Sequence, residues 1–300
     1  MIVNDRRSAL VFPPAKLNLG LRILGRREDG FHALETAMIP IGWHDTLEIE
    51  RVQGRLESGE KWNLACFGMP IPGGDRGNLV VRAYEILDAE FDLPATAFHL
   101  VKTIPMGAGL GGGSSDGAHA LMGLNALYGL GLDRKALAEF AGVLGSDCPF
   151  FIGDRPAWVS GRGDEVRPWN TEDRIGLAGC FVAVIFPGVH VNTAEAFADL
   201  DARAFEDAGT VNAAEAASET WSGALKGPAA EWGEQLANDF QPHVSGHHPE
   251  IGRAIEMLKR EGALWAMMSG SGSTVFGLFD QRPARPTDLP ETWRWWAGAL

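Results

Sequence analysis

Five glycines fall within the seven positions 107–113 of one short stretch, Pro105-Met106-Gly107-Ala108-Gly109-Leu110-Gly111-Gly112-Gly113-Ser114-Ser115-Asp116. Glycine lets the backbone reach positive φ and approach a ligand closely. The stretch separates a predicted strand, 97–104, from a predicted helix, 114–128. A helix start offers unpaired N–H donors and the positive end of the macrodipole, and together these favour phosphate. Ser114 and Ser115 can cap the helix or hydrogen-bond phosphate oxygens. The plain alternative is a mobile connecting loop.

Two common phosphate sites fit poorly. Gly107, Gly109 and Gly112 spell GxGxxG, and Asp133 follows about 20 residues on, as in a dinucleotide site. A Rossmann unit needs a second strand with the acid at its end. Here Asp133 opens another predicted helix, 133–144, so an oxidoreductase reading lacks its strand. A Walker A loop is excluded because no GK[ST] follows the glycines.

The 300 residues are enough for about two domains of roughly 150 residues each. The net charge of −13 argues against broad nucleic-acid or anionic-membrane binding. With six lysines, positive charge must be placed locally, and backbone N–H groups, Mg²⁺ and some arginine are expected to hold phosphate. Cys66, Cys148 and Cys180 form neither a CxxC nor an even set, so no disulfide framework or zinc site is read. No signal-peptide pattern is visible in residues 1–18 and no apolar run reaches the ~20 residues of a membrane span, so a cytoplasmic protein is expected. The further expectation is a monomer or weak homodimer acting on a small molecule.

Strands are expected at 9–12, 17–24, 45–52, 157–160, 165–168, 180–186, 263–268 and 274–279. Pro13-Pro14 interrupts the first two. Helices are expected at 78–91, near 147–149, at 193–205, over alanine-rich stretches from 211 to 238, and at 249–260. The Trp293, Trp295 and Trp296 tail reads as a packed closing element. The pattern is α+β, with a boundary near residue 170 giving domains 1–170 and 171–300.

Two further residues would supply chemistry if they met the glycine loop. Lys16 lies in an otherwise apolar strand, where it either serves a site or snorkels from the strand face. Asp147, in Gly145-Ser146-Asp147-Cys148-Pro149, is either a helix cap or a carboxylate that accepts a hydroxyl proton.

Five segments in order, PAKLNLGLRILGRREDGFH (14–32), IPMGAGLGGGSSDGA (104–118), GSDCPFF (145–151), PGVHVNTAEAF (187–197) and MSGSGSTVF (268–276), resemble the GHMP kinase superfamily. The segment ending in Phe31-His32 is similar to the branch that phosphorylates 4-diphosphocytidyl-2-C-methyl-D-erythritol in non-mevalonate isoprenoid synthesis. The resemblance implies an S5-like N-terminal domain, a ferredoxin-like C-terminal domain, and an active site between them. It implies that Pro105, Met106, Gly107, Ala108, Gly109, Leu110, Gly111, Gly112, Gly113, Ser114 and Ser115 wrap the ATP phosphates, with Mg²⁺ bridging the β and γ groups. Asp147 would be the base toward the 2-hydroxyl and Lys16 its electrostatic partner, with Asn18 lining the same site. His32 would hydrogen-bond cytosine, and Phe31 and Phe197 would stack on it.

This chain departs from the usual pattern in three places. Phe31 stands where tyrosine is common, and Ser271 where threonine is common in the C-terminal turn, which is expected to pack near the phosphate loop. Asp116 puts a carboxylate in the first turn of the phosphate helix, where it should repel phosphate unless Mg²⁺ screens it or it points away. A mevalonate- or homoserine-type kinase and a non-catalytic nucleotide binder are the competing readings. Phe31, His32 and Phe197 argue against the first, and Lys16 with Asp147 against the second.

Overall fold

Pro14 opens a strand rather than breaking one: one strand ends at Val11 and the next starts at Pro14, the first residue of a strand being a place where the missing N–H is tolerated. The computed structural model describes residues 1–300 except 5, 6, 55, 57, 58, 72, 73, 154, 171–175 and 205–220. The expected helix over 211–220, the end of the 193–205 helix and Thr171 at the expected boundary lie outside the described residues.

In chain order the first strands are β1 (Ile2–Asn4), β2 (Ser8–Val11), β3 (Pro14–Arg26), β4 (His32–His44), β5 (Thr46–Arg51), β6 (Trp62–Gly68) and β7 (Thr96–Lys102). Then follow β8 (Ala157–Ser160), β9 (Glu165–Pro168), β10 (Phe181–Phe186), β11 (Trp265–Met268), β12 (Val275–Phe279) and β13 (Arg294–Ala299). The helices used below are α1 (Leu79–Phe91), α2 (Gly112–Tyr128), α3 (Arg134–Leu144), α4 (Cys148–Gly153) and α5 (Thr193–Ala204).

The described chain packs as two units: Met1–Ala15, Trp43–Met106 and Gly111–Arg155 in one; Lys16–Gly42, Gly107–Leu110 and Pro156–Leu300 in the other. In the first unit a five-stranded sheet runs β1-β2-β5-β7-β6. All its pairings are antiparallel except β6 with β7, which α1 joins as a crossover. Helices α1 and α3 start where their polar caps predict. Asn78 Oδ1 accepts from Val80 N at 2.9 Å, and Asp133 Oδ1 from Ala136 N at 2.8 Å. Asp133 is thus a helix cap, and the element after α2 is helix α3 and not a strand, which removes the dinucleotide reading. Helix α2 is buried nearly all round, from Ser115 through Leu127, against α1, α3, α4, β2 and β5. It starts two residues earlier than the predicted 114, because Gly112 and Gly113 form its first turn instead of ending the loop.

The second unit holds two four-stranded sheets, β3-β4-β8-β9 and β11-β12-β10-β13. Helix Pro249–Arg260 lays Ile251, Ala254, Ile255 and Leu258 into a core with Ala183, Ile185, Val275 and Phe279. The tryptophan tail is a closing edge strand, with Trp295 and Trp296 paired opposite Ile185 and Val184. The expected helix does not continue to 238: residues 229–231 and 233–235 are single 3₁₀ turns. Pro228 and Gly233 account for this, since both disfavour an uninterrupted α-helix. Strands β4, β6 and β13 and helix Gln241–His247 add to the expected elements.

Candidate active site

The first unit presents the start of α2. Gly111 is its N-cap, at φ 68° and with no side chain capping the turn. The first intrahelical bond is Ser115 N to Gly111 O, 2.9 Å. The N–H groups of Gly112, Gly113 and Ser114 therefore have no partner within the helix, the arrangement that receives an anion. Ser114 is half-buried and hydrogen-bonds the thiol of Cys148, which burial pushes up to about 12. Asp147, also half-buried, immediately precedes Cys148 at the start of α4. Ser115 is fully buried, its hydroxyl 3.5 Å from His119 Nδ1. Asp116 turns inward: its Oδ2 accepts from Lys102 Nζ at 2.7 Å.

In the second unit, the loop's middle residues are held by the C-terminal turn. Ser269 Oγ donates to Gly109 O at 2.9 Å, and Thr274 N to Ala108 O at 3.2 Å. Gly109 sits at φ 77°, and a Cβ there would lie 2.1 Å from Ser269 O, so any side chain is excluded. Asn238 Nδ2 holds that turn, donating to Met268 O and Gly270 O at 2.8 Å each. The turn packs on the loop as expected, and Ser271 Oγ spends its hydrogen bond on Thr193 Oγ1, 2.9 Å away.

Lys16 does not snorkel. It is 3% exposed, its N donates to Leu110 O at 2.9 Å, and its Nζ donates to Asn18 Oδ1. Asn18 Nδ2 donates to Thr36 Oγ1 at 2.9 Å, and Thr36 Oγ1 to Gly20 O at 2.6 Å. Asn18 is thereby a fixed acceptor for the Lys16 ammonium, its own orientation set by Thr36. The chain thus brings a buried cation beside the glycine loop, its ammonium bonded to Asn18.

The aromatic group is also within the second unit. The His32 ring stacks on Phe197, centroids 4.5 Å apart and planes at 15°, while Phe240 meets Phe197 edge-on. His32 Nε2 is 2.6 Å from Asp201 Oδ1. Phe31 is 52% exposed, with the Arg162 guanidinium 5.0 Å above its ring. Sequence reasoning named His32, Phe31 and Phe197 but missed Asp201, as it missed Thr36, Asn238, Asp45 and Lys102. The helical spacing of Phe197 and Asp201, four residues apart on α5, was the available signal.

Among the described residues no group of three or more His, Cys, Asp or Glu side chains converges as a metal ion would need, and no helix is long and apolar enough to cross a membrane.

Residues 78–155 match the family described as GHMP kinases N terminal domain, and 221–286 match GHMP kinases C terminal. A 4-diphosphocytidyl-2-C-methyl-D-erythritol kinase of Bacteroides thetaiotaomicron is 42% identical over 283 residues, 94% of this chain and 95% of that protein. This chain belongs to the 4-diphosphocytidyl-2-C-methyl-D-erythritol kinase family. A second member of the family, from Symbiobacterium thermophilum, is 39% identical over 282 residues, covering 90% of each chain. A crystal structure titled 4-(cytidine 5'-diphospho)-2C-methyl-D-erythritol kinase superposes with a TM-score of 0.68 at 31% identity, covering 97% of this chain and 98% of the other. A homoserine kinase from Cytophaga hutchinsonii shares the fold alone, with a TM-score of 0.66 at 14% identity over 100% and 97% of the chains. As a member of this kinase family the chain is a phosphotransferase with the α+β GHMP fold, and ATP is the phosphate donor of GHMP kinases.

Proposed function

We propose that this enzyme transfers the γ-phosphoryl group of ATP·Mg²⁺ to the 2-hydroxyl of 4-diphosphocytidyl-2-C-methyl-D-erythritol. One observation carries the reading: relatives named for this substrate align with more than nine-tenths of the chain. Within the chain, domains 1–170 and 171–300 are assigned as the ATP-binding and C-terminal GHMP domains.

Phosphoryl transfer passes through a loose transition state, so the protein's work is positioning and electrostatics. The unpaired N–H groups at the start of α2 are suited to phosphate oxygens, and Gly109 and Gly111 keep side chains out of their way. The substrate hydroxyl oxygen bonds to the γ-phosphorus as the bond to the β–γ bridging oxygen breaks and ADP leaves. Asp147 takes the hydroxyl proton, and the Lys16 ammonium offsets the negative charge that develops. Asn18 contributes by pointing its carbonyl at Lys16, which fixes the ammonium in one place. On the cytidyl side, His32 reads the base edge and Phe31 and Phe197 supply ring faces. Mg²⁺ is taken as part of the nucleotide substrate.

A coupled ADP-release assay comparing the cytidyl substrate with mevalonate and homoserine tests this. Saturable turnover with the cytidyl compound alone is expected. Turnover with another alcohol would keep the kinase chemistry and discard the cytosine assignment.

A further inference from the structure

The strand that enters the glycine loop and the helix that leaves it share one buried cation. Lys102, the last residue of β7, donates from Nζ to Asp45 Oδ2 and to Asp116 Oδ2, the latter at 2.7 Å. Asp45 Oδ1 in turn accepts from Thr103 N at 2.5 Å and Ile104 N at 2.9 Å, the two residues that lead into the loop. Asp116 lies in the first turns of α2. All three side chains are sealed, at 0%, 1% and 2% exposure for Asp45, Lys102 and Asp116. The helix start presses directly on this group: a Cβ on Gly112 would lie 2.9 Å from Ile104 Cγ2 and 3.2 Å from Lys102 Nζ.

The two carboxylates are not equivalent. Asp45 receives three donors, as an ionised carboxylate requires. Asp116 receives one, and its Oδ1 is buried without a partner. One ammonium between two ionised carboxylates would leave a net negative charge in a dry place below the phosphate helix. A proton on Asp116 makes the group neutral.

We propose that Lys102 is a positioning residue for the nucleotide, clamping the entry and exit of the glycine loop in one fixed relation, with Asp45 as its anionic arm and Asp116 as its uncharged arm. The charge balance is consistent with burial pushing the Asp116 carboxyl up to about 8, against the pull of the Lys102 ammonium and with Asp45 adding to the rise. Cys66, on β6, also faces the group and feels both Asp116 and Lys102. The negative charge expected in the phosphate helix is therefore absent: the side chain points away from the helix start's open donors and shares a proton economy with Lys102 and Asp45.

The inference rests on the reading that the loop holds ATP phosphates. It is tested by calorimetric titration with ATP·Mg²⁺ and by steady-state kinetics on the full-length protein, each variant first checked for a native circular-dichroism spectrum. Lys102→Met is expected to raise Kd and KM for ATP by about tenfold or more while KM for the alcohol substrate stays within about twofold. Asp116→Ala, which removes the acceptor, should behave similarly, and Asp116→Asn, which has the shape of the protonated acid, should recover most of that loss. Should Lys102→Met not fold, the Asp116 pair carries the test alone. Folded Lys102→Met with wild-type ATP affinity overturns the positioning role, and Asp116→Asn as damaging as Asp116→Ala overturns the uncharged arm. A Ser114→Trp protein that binds ATP unaltered would instead remove the phosphate-loop reading; loss there with Lys102→Met intact removes only the positioning role.

Discussion

Nε2 of His32 lies 2.6 Å from Oδ1 of Asp201, one helical turn beyond the Phe197 ring on which that imidazole is stacked. A carboxylate only accepts, so Nε2 carries the hydrogen; base recognition would then use Nδ1, which is an acceptor whenever the ring carries that one proton. An acceptor suits the 4-amino group of cytosine and opposes the 4-oxo group of uracil. Asp201→Ala is therefore expected to raise KM for the cytidyl substrate by about tenfold, narrow the preference over a uridyl analogue, and leave KM for ATP alone. Steady-state kinetics with both nucleotides check it; an unchanged cytidyl KM would remove His32 from base recognition.

Asp147→Asn should retain ATP binding and lose about 10²–10⁴-fold in kcat, the usual worth of a general base. Lys16→Ala should likewise lower kcat more than it weakens ATP binding, since its buried ammonium is oriented by Asn18 to offset charge that develops in the transition state. Near-normal turnover of Asp147→Asn in single-turnover assays would exclude it as the base.

The Asp116 carboxyl sets a pH dependence of stability with a definite sign. In the unfolded chain it ionises near 3.8, and in the native state near 8. Between those values the native protein holds a proton that the unfolded chain has released, so raising the pH favours unfolding. Asp116→Asn removes this slope. Urea midpoints at pH 5, 6.5 and 8 should show the variant gaining on the wild type as pH rises, and parallel curves would count against a protonated Asp116.

Gly109→Ala combines a φ of 77° with a Cβ that would lie 2.1 Å from Ser269 O. The strain is of the order of 1–3 kcal/mol, and relief requires the Ser269 turn to shift from the loop. A lower thermal midpoint together with a raised KM for ATP is expected; a midpoint equal to wild type would show that the turn yields freely.

What sequence could reveal followed from how locally each feature is determined. Asn78 and Asp133 cap helices through bonds two or three residues long, and strands 157–160 and 165–168 form a short antiparallel pair across the Gly161-Arg162-Gly163-Asp164 turn, so their limits were legible. Strand β4 was not, because much of its length is buried on both faces and carries no period-two signal. The glycine loop and Lys16 stood out as chemically unusual residues in their surroundings. Asp45 did not, since its partner Lys102 lies 57 positions away and nothing near it in the chain distinguishes it from a surface acid, while Asp201, whose partner lies 169 positions away, was marked only by its spacing from Phe197. A residue whose role comes from a distant partner becomes visible only when the chain is folded.

Lys102 is the final residue of β7, opposite Gly68 on β6, and its neighbour Val101 faces outward. Side chains on a strand alternate, so sliding β7 by one residue would turn Lys102 to solvent and carry Val101 into its place. Asp45 and Asp116 would then be sealed together with no cation between them, a far costlier state than a misplaced apolar contact. The buried ammonium thus works as a key to strand alignment: the loop that follows can form only at the end of a correctly threaded sheet.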